Sequence, residues 1–337
     1  MDETVTWTLD EAERRAWEAL RASGACEHSA RATARALLRA EADGQAGHGL
    51  SRVPSYAAQA KSGKVNGDAI PRLNQVADAL LRIDAGFGFA YPAIDLALDS
   101  LAGMVPRTGI AAAAIHRSHH FGQAGAHAER LAERGLVALL FGNSPKAMAF
   151  WDGAKPMLGT NPIAFAAPMG DDRPPLVIDL ALSKVARGKI MAADKRCETI
   201  PEGWALDQAG QPTTDPAAAM KGSMLPIGDA KGAALAIMVE LLAAALTGSQ
   251  FGWEASSLFD AAGKAPDLGH FMIAIDPGLS SDDQFARRMA VFARALDDEP
   301  GARAPGSSRL QNRARAARDG IQVPKVLANE IEALIRD

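Results

Sequence analysis

A chain of 337 residues can bury a large core, and its length suggests about two domains. Hydrophobic residues make up 48% and charged residues 23%, as in ordinary globular proteins. With a formal net charge of -4 and no basic block except residues 303–318, nucleic acid is argued against as the main partner.

Residues 9–42 read as two helices broken at 23–27, with Thr8 or Asp10 as the cap of the first. Glycine-rich residues 43–49 interrupt the pattern, and a helix is expected to resume near Leu50 and to cover 53–64. Short strand-like runs lie within 71–85, followed by a helix at 91–105. From Gly109 short apolar runs alternate with helices. Strands are expected at 110–115, 136–142, 163–168, 176–180 and 270–276, with helices at 124–134, 231–246 and 282–296 and a last one ending near Arg336. Such alternation indicates an α/β sheet with helices on its faces.

Two cysteines, Cys26 and Cys197, supply neither a disulfide framework nor metal-ligand spacing. The start Met1-Asp2-Glu3 lacks a basic leader, and the apolar run 232–246 is interrupted by Glu240 and too short to span a bilayer. A cytoplasmic protein with free thiols and no membrane partner is expected.

The segment Gly47-His48-Gly49-Leu50-Ser51-Arg52 places an imidazole four residues before a guanidinium, one helical turn apart. A group that titrates near neutral pH and a fixed cation suit reduction of a small carboxylate-bearing substrate. The alternative is a glycine-rich turn with a surface His and Arg. His119-His120, beyond a buried strand, would point to opposite faces on a strand and has no Cys, Asp or Glu at ligand spacing, so no metal is expected. Gly159-Thr160-Asn161-Pro162 reads as a turn in which Thr160 offers a hydroxyl. Asp179 closes an apolar strand, and Arg187 stands among Lys184 and Lys189 on what is either a solvated face or a binding face. The glycine-rich stretch 222–232 enters a strong helix with Lys231, a possible anion site. Neither the P-loop nor Gly-x-Gly-x-x-Gly is present.

Taken in order, Gly47–Arg52, Ser118–Gly122, Gly159–Pro162, Ile200–Asp207, Lys231-Gly232 and Met238–Glu240 make the chain resemble the malate/L-lactate dehydrogenase family of type 2, also called sulfolactate dehydrogenase-like. The likeness runs from about residue 9 to the end and takes in Δ1-piperideine-2-carboxylate/Δ1-pyrroline-2-carboxylate reductases. It implies NAD(P)-dependent hydride transfer on a non-Rossmann α/β fold with a central mixed sheet, usually in a homodimer. The substrate would be a 2-oxo or 2-hydroxy acid of malate, lactate or sulfolactate type, or alternatively a cyclic imine reduced to proline or pipecolate.

By the same likeness His48 is the proton donor and Arg52 the carboxylate anchor, with Thr160, Arg187 and Gly188 as substrate contacts. Cofactor contacts would be His120, Phe121, Gly122, Gln123, Ala124, Ile178, Asp179, Leu180, Asp229, Ala230, Lys231, Pro305, Gly306, Ser307 and Arg309. Arg309 on a 2′-phosphate would favour NADP over NAD. The expected layout packs 1–70 with 282–337, flanking a cofactor-binding core of 71–281. Two departures stand out: Gly47 replaces the serine many relatives carry before the histidine, and Asp229-Ala230-Lys231 replaces the more usual Gly-His/Tyr-Lys.

Overall fold

The computed structural model describes residues 3–170 and 173–336. Its centre is a seven-stranded sheet ordered Arg72–Ala77, Leu80–Asp84, Ile110–Ser118, Leu268–Ile275, Val137–Gly142, Ile163–Ala167 and Leu176–Leu180. Only Leu80–Asp84 and Ile110–Ser118 run parallel; the other neighbours are antiparallel. The sheet is therefore mixed, with none of the all-parallel order of a doubly wound dinucleotide unit. Leu268–Ile275 enters between two strands formed far earlier in the chain, a pairing that no local pattern announces.

Both faces of the sheet are covered. On one, Ala111, Ala113, Ile115, Ala138, Leu140, Ala164 and Ala166 pack beneath the helices Ala90–Thr108 and Ala124–Ala132. Alanine on the strands lets those helices come close to the sheet, and each buried methyl adds only about 0.8 kcal/mol, so many are needed. On the other face Phe141, Leu158, Ala236, Val239 and Phe271 join the sheet to the helix Asp229–Glu240 and to a small second sheet. That second sheet has five strands, Pro212–Thr213, Ala205–Leu206, Ser223–Met224, Met148–Ala149 and Pro156–Leu158. Strands of two or three residues carry no readable alternation, which is why none was expected.

At the chain ends Thr4–Trp7 pairs antiparallel with Ile321–Pro324. The helices Leu9–Ala22, Glu27–Ala42, Val53–Lys61 and Lys325–Arg336 close over a shared core of Trp7, Leu20, Leu37, Leu50, Tyr56, Phe89, Val323 and Ile331. Thr8 is the first helix's cap, accepting from Glu11 N at 3.2 Å. Several elements differ from expectation at their edges, and one short helix is new. The long apolar helix starts at Asp229 and passes after Glu240 into one π turn, Leu241–Ala245. The helix expected at 282–296 is Phe285–Asp298, and the short helix Pro277–Ser281 precedes it. Among the described residues no helix is long and apolar enough to cross a membrane.

Candidate active site

The helix Glu27–Ala42 ends at Asp43, and Gly44 turns the chain with φ 83°, a left-handed backbone that suits glycine. Two separate 3-10 turns follow, Ala46–His48 and Leu50–Arg52, before the α-helix Val53–Lys61. The continuous helix expected from Leu50 is thus corrected. Pro54 has no N–H to give the carbonyl of residue 50, so α-helical bonding cannot begin that early. Gly49 is needed for packing: a Cβ there would strike the Glu41 carboxylate, which accepts from Leu50 N at 2.8 Å.

His48 and Arg52 stay on one short segment by another route. Arg52 curls back so that its Nε donates to Gly47 O at 2.7 Å, and its guanidinium carbon lies 5.2 Å from the centre of the Phe259 ring. Among the described residues no carboxylate pairs with it. His48 stacks on His120, with ring centres 5.2 Å apart and planes 17° from parallel. His120 Nδ1 is 2.7 Å from the Tyr56 hydroxyl, itself 3.3 Å from that of Tyr91. These are the only two tyrosines in the sequence, and their meeting is a tertiary fact.

Burial pushes the His48 imidazole down to about 4, and the Arg52 charge adds to the shift. His119 is held at about 3 by burial, then by Arg52 and Lys64; burial and Arg52 also take His120 well below its usual value. The opposite-face expectation for His119-His120 is corrected as well. The strand ends at Ser118, and both rings are buried, His119 against Gln59 Oε1 at 2.9 Å and His120 against His48. His48 Nδ1 is buried without a hydrogen-bond partner, and a Cβ on Gly47 would meet nothing within 4 Å. A side chain at position 47 would therefore have room.

The residues expected to meet the cofactor form a second group. Gln123 Nε2 donates to Asp43 at 2.9 Å, while its Oε1 is buried and unpartnered. Phe121 turns inward and stacks on His270, 4.5 Å between ring centres, so only its backbone is left to face a ligand. Gly122 bends the chain, and Ala124 opens the helix Ala124–Ala132. Asp179, between half-buried Ile178 and exposed Leu180, accepts from Gly125 N at 2.8 Å; burial holds its carboxyl above the usual range. The turn Pro305-Gly306-Ser307 crosses the same strand, since a Cβ on Gly306 would sit 3.1 Å from Val177 O. Residues 120–125, 178–180 and 305–307 are thus brought together.

Arg309 is placed differently from its expected role. It is buried, 3.2 Å from Glu129 and 3.9 Å from Asp43, in a cluster completed by Arg39 and Arg313. A guanidinium already shared by two carboxylates is a poor partner for a 2′-phosphate, and here it ties the helix Ser307–Asp319 to the Gln123 side of the fold.

A third group gathers around Thr160. Its N donates to Ser144 Oγ at 3.0 Å and its carbonyl accepts from Leu182 N at 2.8 Å; Leu182 O in turn accepts from Ile227 N. Arg187 opens the helix Arg187–Lys195 beside exposed Gly188. It reaches only the Lys146 and Met220 carbonyls, at 3.4 Å each, with no carboxylate paired to it among the described residues. Asp229, Ala230 and Lys231 form the exposed first turn of the helix Asp229–Glu240. Asp229 takes φ 56°, a left-handed value that favours glycine over most other residues.

Sequence reasoning missed Tyr56, Tyr91, Gln59, Phe259 and the role of Glu240. Buried Glu240 accepts from Asn161 Nδ2 at 2.7 Å, Gly252 N at 2.7 Å and Asn143 Nδ2 at 3.2 Å, clamping the π turn to the loops around it. A lone acid in an apolar helix was the available signal for Glu240; Phe259 had none. Among the described residues no group of three His, Cys, Asp or Glu could hold a metal ion.

The groups present suit a dinucleotide. Asp179 is an acceptor for a ribose hydroxyl, the helix start at Asp229–Lys231 offers N–H groups and a cation to phosphate, and Gln123 has an unused buried oxygen. A histidine–arginine pair, a mixed α/β fold and groups that suit a dinucleotide point to a dehydrogenase or reductase that uses a nicotinamide cofactor. The chain belongs to the malate/L-lactate dehydrogenase family, whose model matches residues 7–332, and it is an NAD(P)-dependent oxidoreductase.

It is 53% identical over 327 residues to (2R)-3-sulfolactate dehydrogenase (NADP(+)) of Chromohalobacter salexigens, covering 97% of both chains. It is 41% identical to a Δ1-pyrroline-2-carboxylate/Δ1-piperideine-2-carboxylate reductase of Pseudomonas aeruginosa, covering 98% of this chain and 99% of that one. Among solved structures, Δ1-piperideine-2-carboxylate reductase from Pseudomonas syringae superposes with a TM-score of 0.92 at 35% identity, covering 98% of this chain and 100% of that one. Sulfolactate dehydrogenase from Methanocaldococcus jannaschii gives 0.90 at 28% identity, covering 98% and 97%.

Proposed function

We propose that the protein interconverts a 2-oxo acid and its 2-hydroxy acid with NADP(H), on a substrate of the 3-sulfolactate type that carries a second anionic group. One observation carries this reading. Arg52, four residues from a half-buried imidazole, pairs with no carboxylate among the described residues, so its counter-charge is left to the substrate. Arg187, half-buried and bonded only to carbonyls, supports a second anion; desolvation disfavours its charge until one arrives. The relative at 53% identity, named for 3-sulfolactate and NADP, supports both parts.

In this mechanism Arg52 grips the substrate carboxylate through its two terminal nitrogens and aims C2 at the cofactor site. His48, with Nδ1 enclosed, delivers its proton from Nε2 to the oxygen at C2. Thr160, Arg187 and Gly188 are the remaining substrate contacts in this reading. Asp179, Gln123 and Lys231 would hold the cofactor, as would the backbone of 120–124 and of Pro305–Ser307, on a mixed sheet in place of a Rossmann unit. Bound NADPH supplies the hydride.

Reduction of a cyclic imine is the second reading. The stretch 224–251 and the His119-His120 pair resemble the imine reductases, as do the relatives at 41% and 35% identity. Incubating the protein with NADPH or NADH and sulfopyruvate, oxaloacetate, pyruvate or Δ1-pyrroline-2-carboxylate, and following nicotinamide absorbance, separates the two. Preference for Δ1-pyrroline-2-carboxylate over sulfopyruvate would overturn the first reading. Arg52→Ala is expected to lower kcat/KM by ~2–5 kcal/mol on the preferred substrate, mainly through KM. Unchanged kinetics would remove Arg52 from the site.

The assembly we propose is a homodimer. Leu235, Ile237, Met238, Leu241 and Leu246 stand exposed along the helix Asp229–Glu240 and the turns after it, an apolar strip that a monomer would leave in water. Leu241→Glu should shift the sedimentation coefficient to that of a monomer; an unchanged value would exclude this face. A reducing, cytoplasmic setting accords with the unpaired Cys26 and Cys197.

A further inference from the structure

Residues 251–267 link the π turn to the strand Leu268–Ile275 and contain no regular element, yet two buried side chains pin them down. Lys64, with its side chain wholly enclosed, donates from Nζ to Ser257 O at 2.6 Å and Asp260 O at 3.0 Å, with Asp260 Oδ1 at 3.4 Å. Gln59 donates from Nε2 to Leu258 O at 3.0 Å, while its Oε1 meets His119 Nε2. Both anchors belong to the helix Val53–Lys61, which begins directly after Arg52, and to the turn that follows it. Between pinned Leu258 and Asp260 stands Phe259, half exposed, with its ring against the Arg52 guanidinium.

A guanidinium is weakly hydrated on its faces and donates only in its plane, so an aromatic ring can cover one face without using a donor. In this protein Nε is already committed to Gly47 O. With one face covered, the two terminal nitrogens are what remain for a ligand, and their direction is set by the ring and that carbonyl together. A carboxylate in place of Phe259 would orient the guanidinium equally well but would compete with substrate.

We propose that Phe259 is a positioning residue of the carboxylate site, holding Arg52 in the plane where its terminal nitrogens meet the substrate. Its exposed edge forms an apolar wall beside the carbon next to that carboxylate. This rests on the reading of Arg52 as the substrate's anchor. The Lys64 and Gln59 contacts tie the loop of Phe259 to the helix that begins next to Arg52, so ring and guanidinium are held to one segment.

The test uses the full chain with Phe259→Ala, Phe259→Leu and Phe259→Tyr, substitutions at a half-exposed side chain whose loss leaves the core intact. Steady-state kinetics are combined with calorimetric binding of oxamate, an unreactive 2-oxo-acid analogue, to the NADPH-loaded enzyme. The Ala and Leu variants should raise KM and the oxamate Kd by about 3- to 30-fold, the range of cation–π contacts, with kcat within about twofold; Tyr should restore both constants. Leu keeps the apolar bulk and loses only the π face, so its failure to substitute marks orientation of the cation. Constants within about twofold of the parent for both Ala and Leu would overturn the proposal. If the parent turns over none of the substrates, the proposed activity fails, and oxamate binding still decides the role of Phe259.

Discussion

Replacing His48 with alanine is expected to lower kcat by about 10²–10⁴-fold, with KM and cofactor affinity little changed. The ring's position supports that split. It stacks on His120 with no hydrogen bond to hold it, so its removal takes away a proton donor and leaves the Arg52 contacts standing. A pH signature should accompany the loss. In the free protein burial and the Arg52 charge hold His48 at about 4. A carboxylate bound to Arg52 cancels the second cause, so the His48 value should rise as substrate binds. For reduction kcat should therefore fall as pH rises through the His48 value in the complex, which lies above that of the free chain. Turnover of His48→Ala within a few-fold of the parent, or a flat parent profile, would take His48 out of the proton step.

The second large effect is on stability. His119, His127 and His270 are held at about 3, about 4 and about 3, each chiefly by burial, and His120 lies well below its usual value. All four are neutral in the fold, whereas the unfolded chain binds a proton at each below about 6.5. Between about 6.5 and 4 the unfolded state thus carries more protons, and stability must fall as pH falls. Urea unfolding should show its midpoint dropping steeply across that window, with up to about 3 kcal/mol lost per buried imidazole. His48, held at about 4, adds to these four, whereas the Asp179 and Glu240 carboxyls are raised by burial and act in the opposite sense, reducing the net slope. His127→Gln, whose amide can still donate to Phe121 O, should reduce that slope by up to one proton. Midpoints constant from pH 6.5 to 4.5 would show that these rings ionise in place.

Much of this molecule can be read along the chain. The helix pair before Asp43, the alternation after Gly109 and the strong helix near 231 follow from hydrophobic period, and six short motifs in one order point to the family. Helix and strand periods are local properties, as is the adjacency of His48 and Arg52. The same local reasoning failed where a bond had to be missing or a partner had to come from afar. Pro54 splits the expected helix into two tight turns, and His119 and His120 both turn inward because the strand stops one residue before them.

From the sequence by itself came the element types, the residues able to hold a carboxylate and give a proton, and the absence of a phosphate-binding glycine fingerprint. Which groups meet was decided only in three dimensions. Arg309, expected at a cofactor phosphate, is claimed instead by Glu129 and Asp43, residues far apart in the chain. Tyr56 finds His120, Gln59 and Lys64 find the loop of Phe259, and the strand Leu268–Ile275 inserts at the centre of the sheet. The reason is one of range. Backbone conformation responds to neighbours a few residues away, whereas desolvation and charge depend on whatever the whole chain packs around a group, and those surroundings exist only after folding.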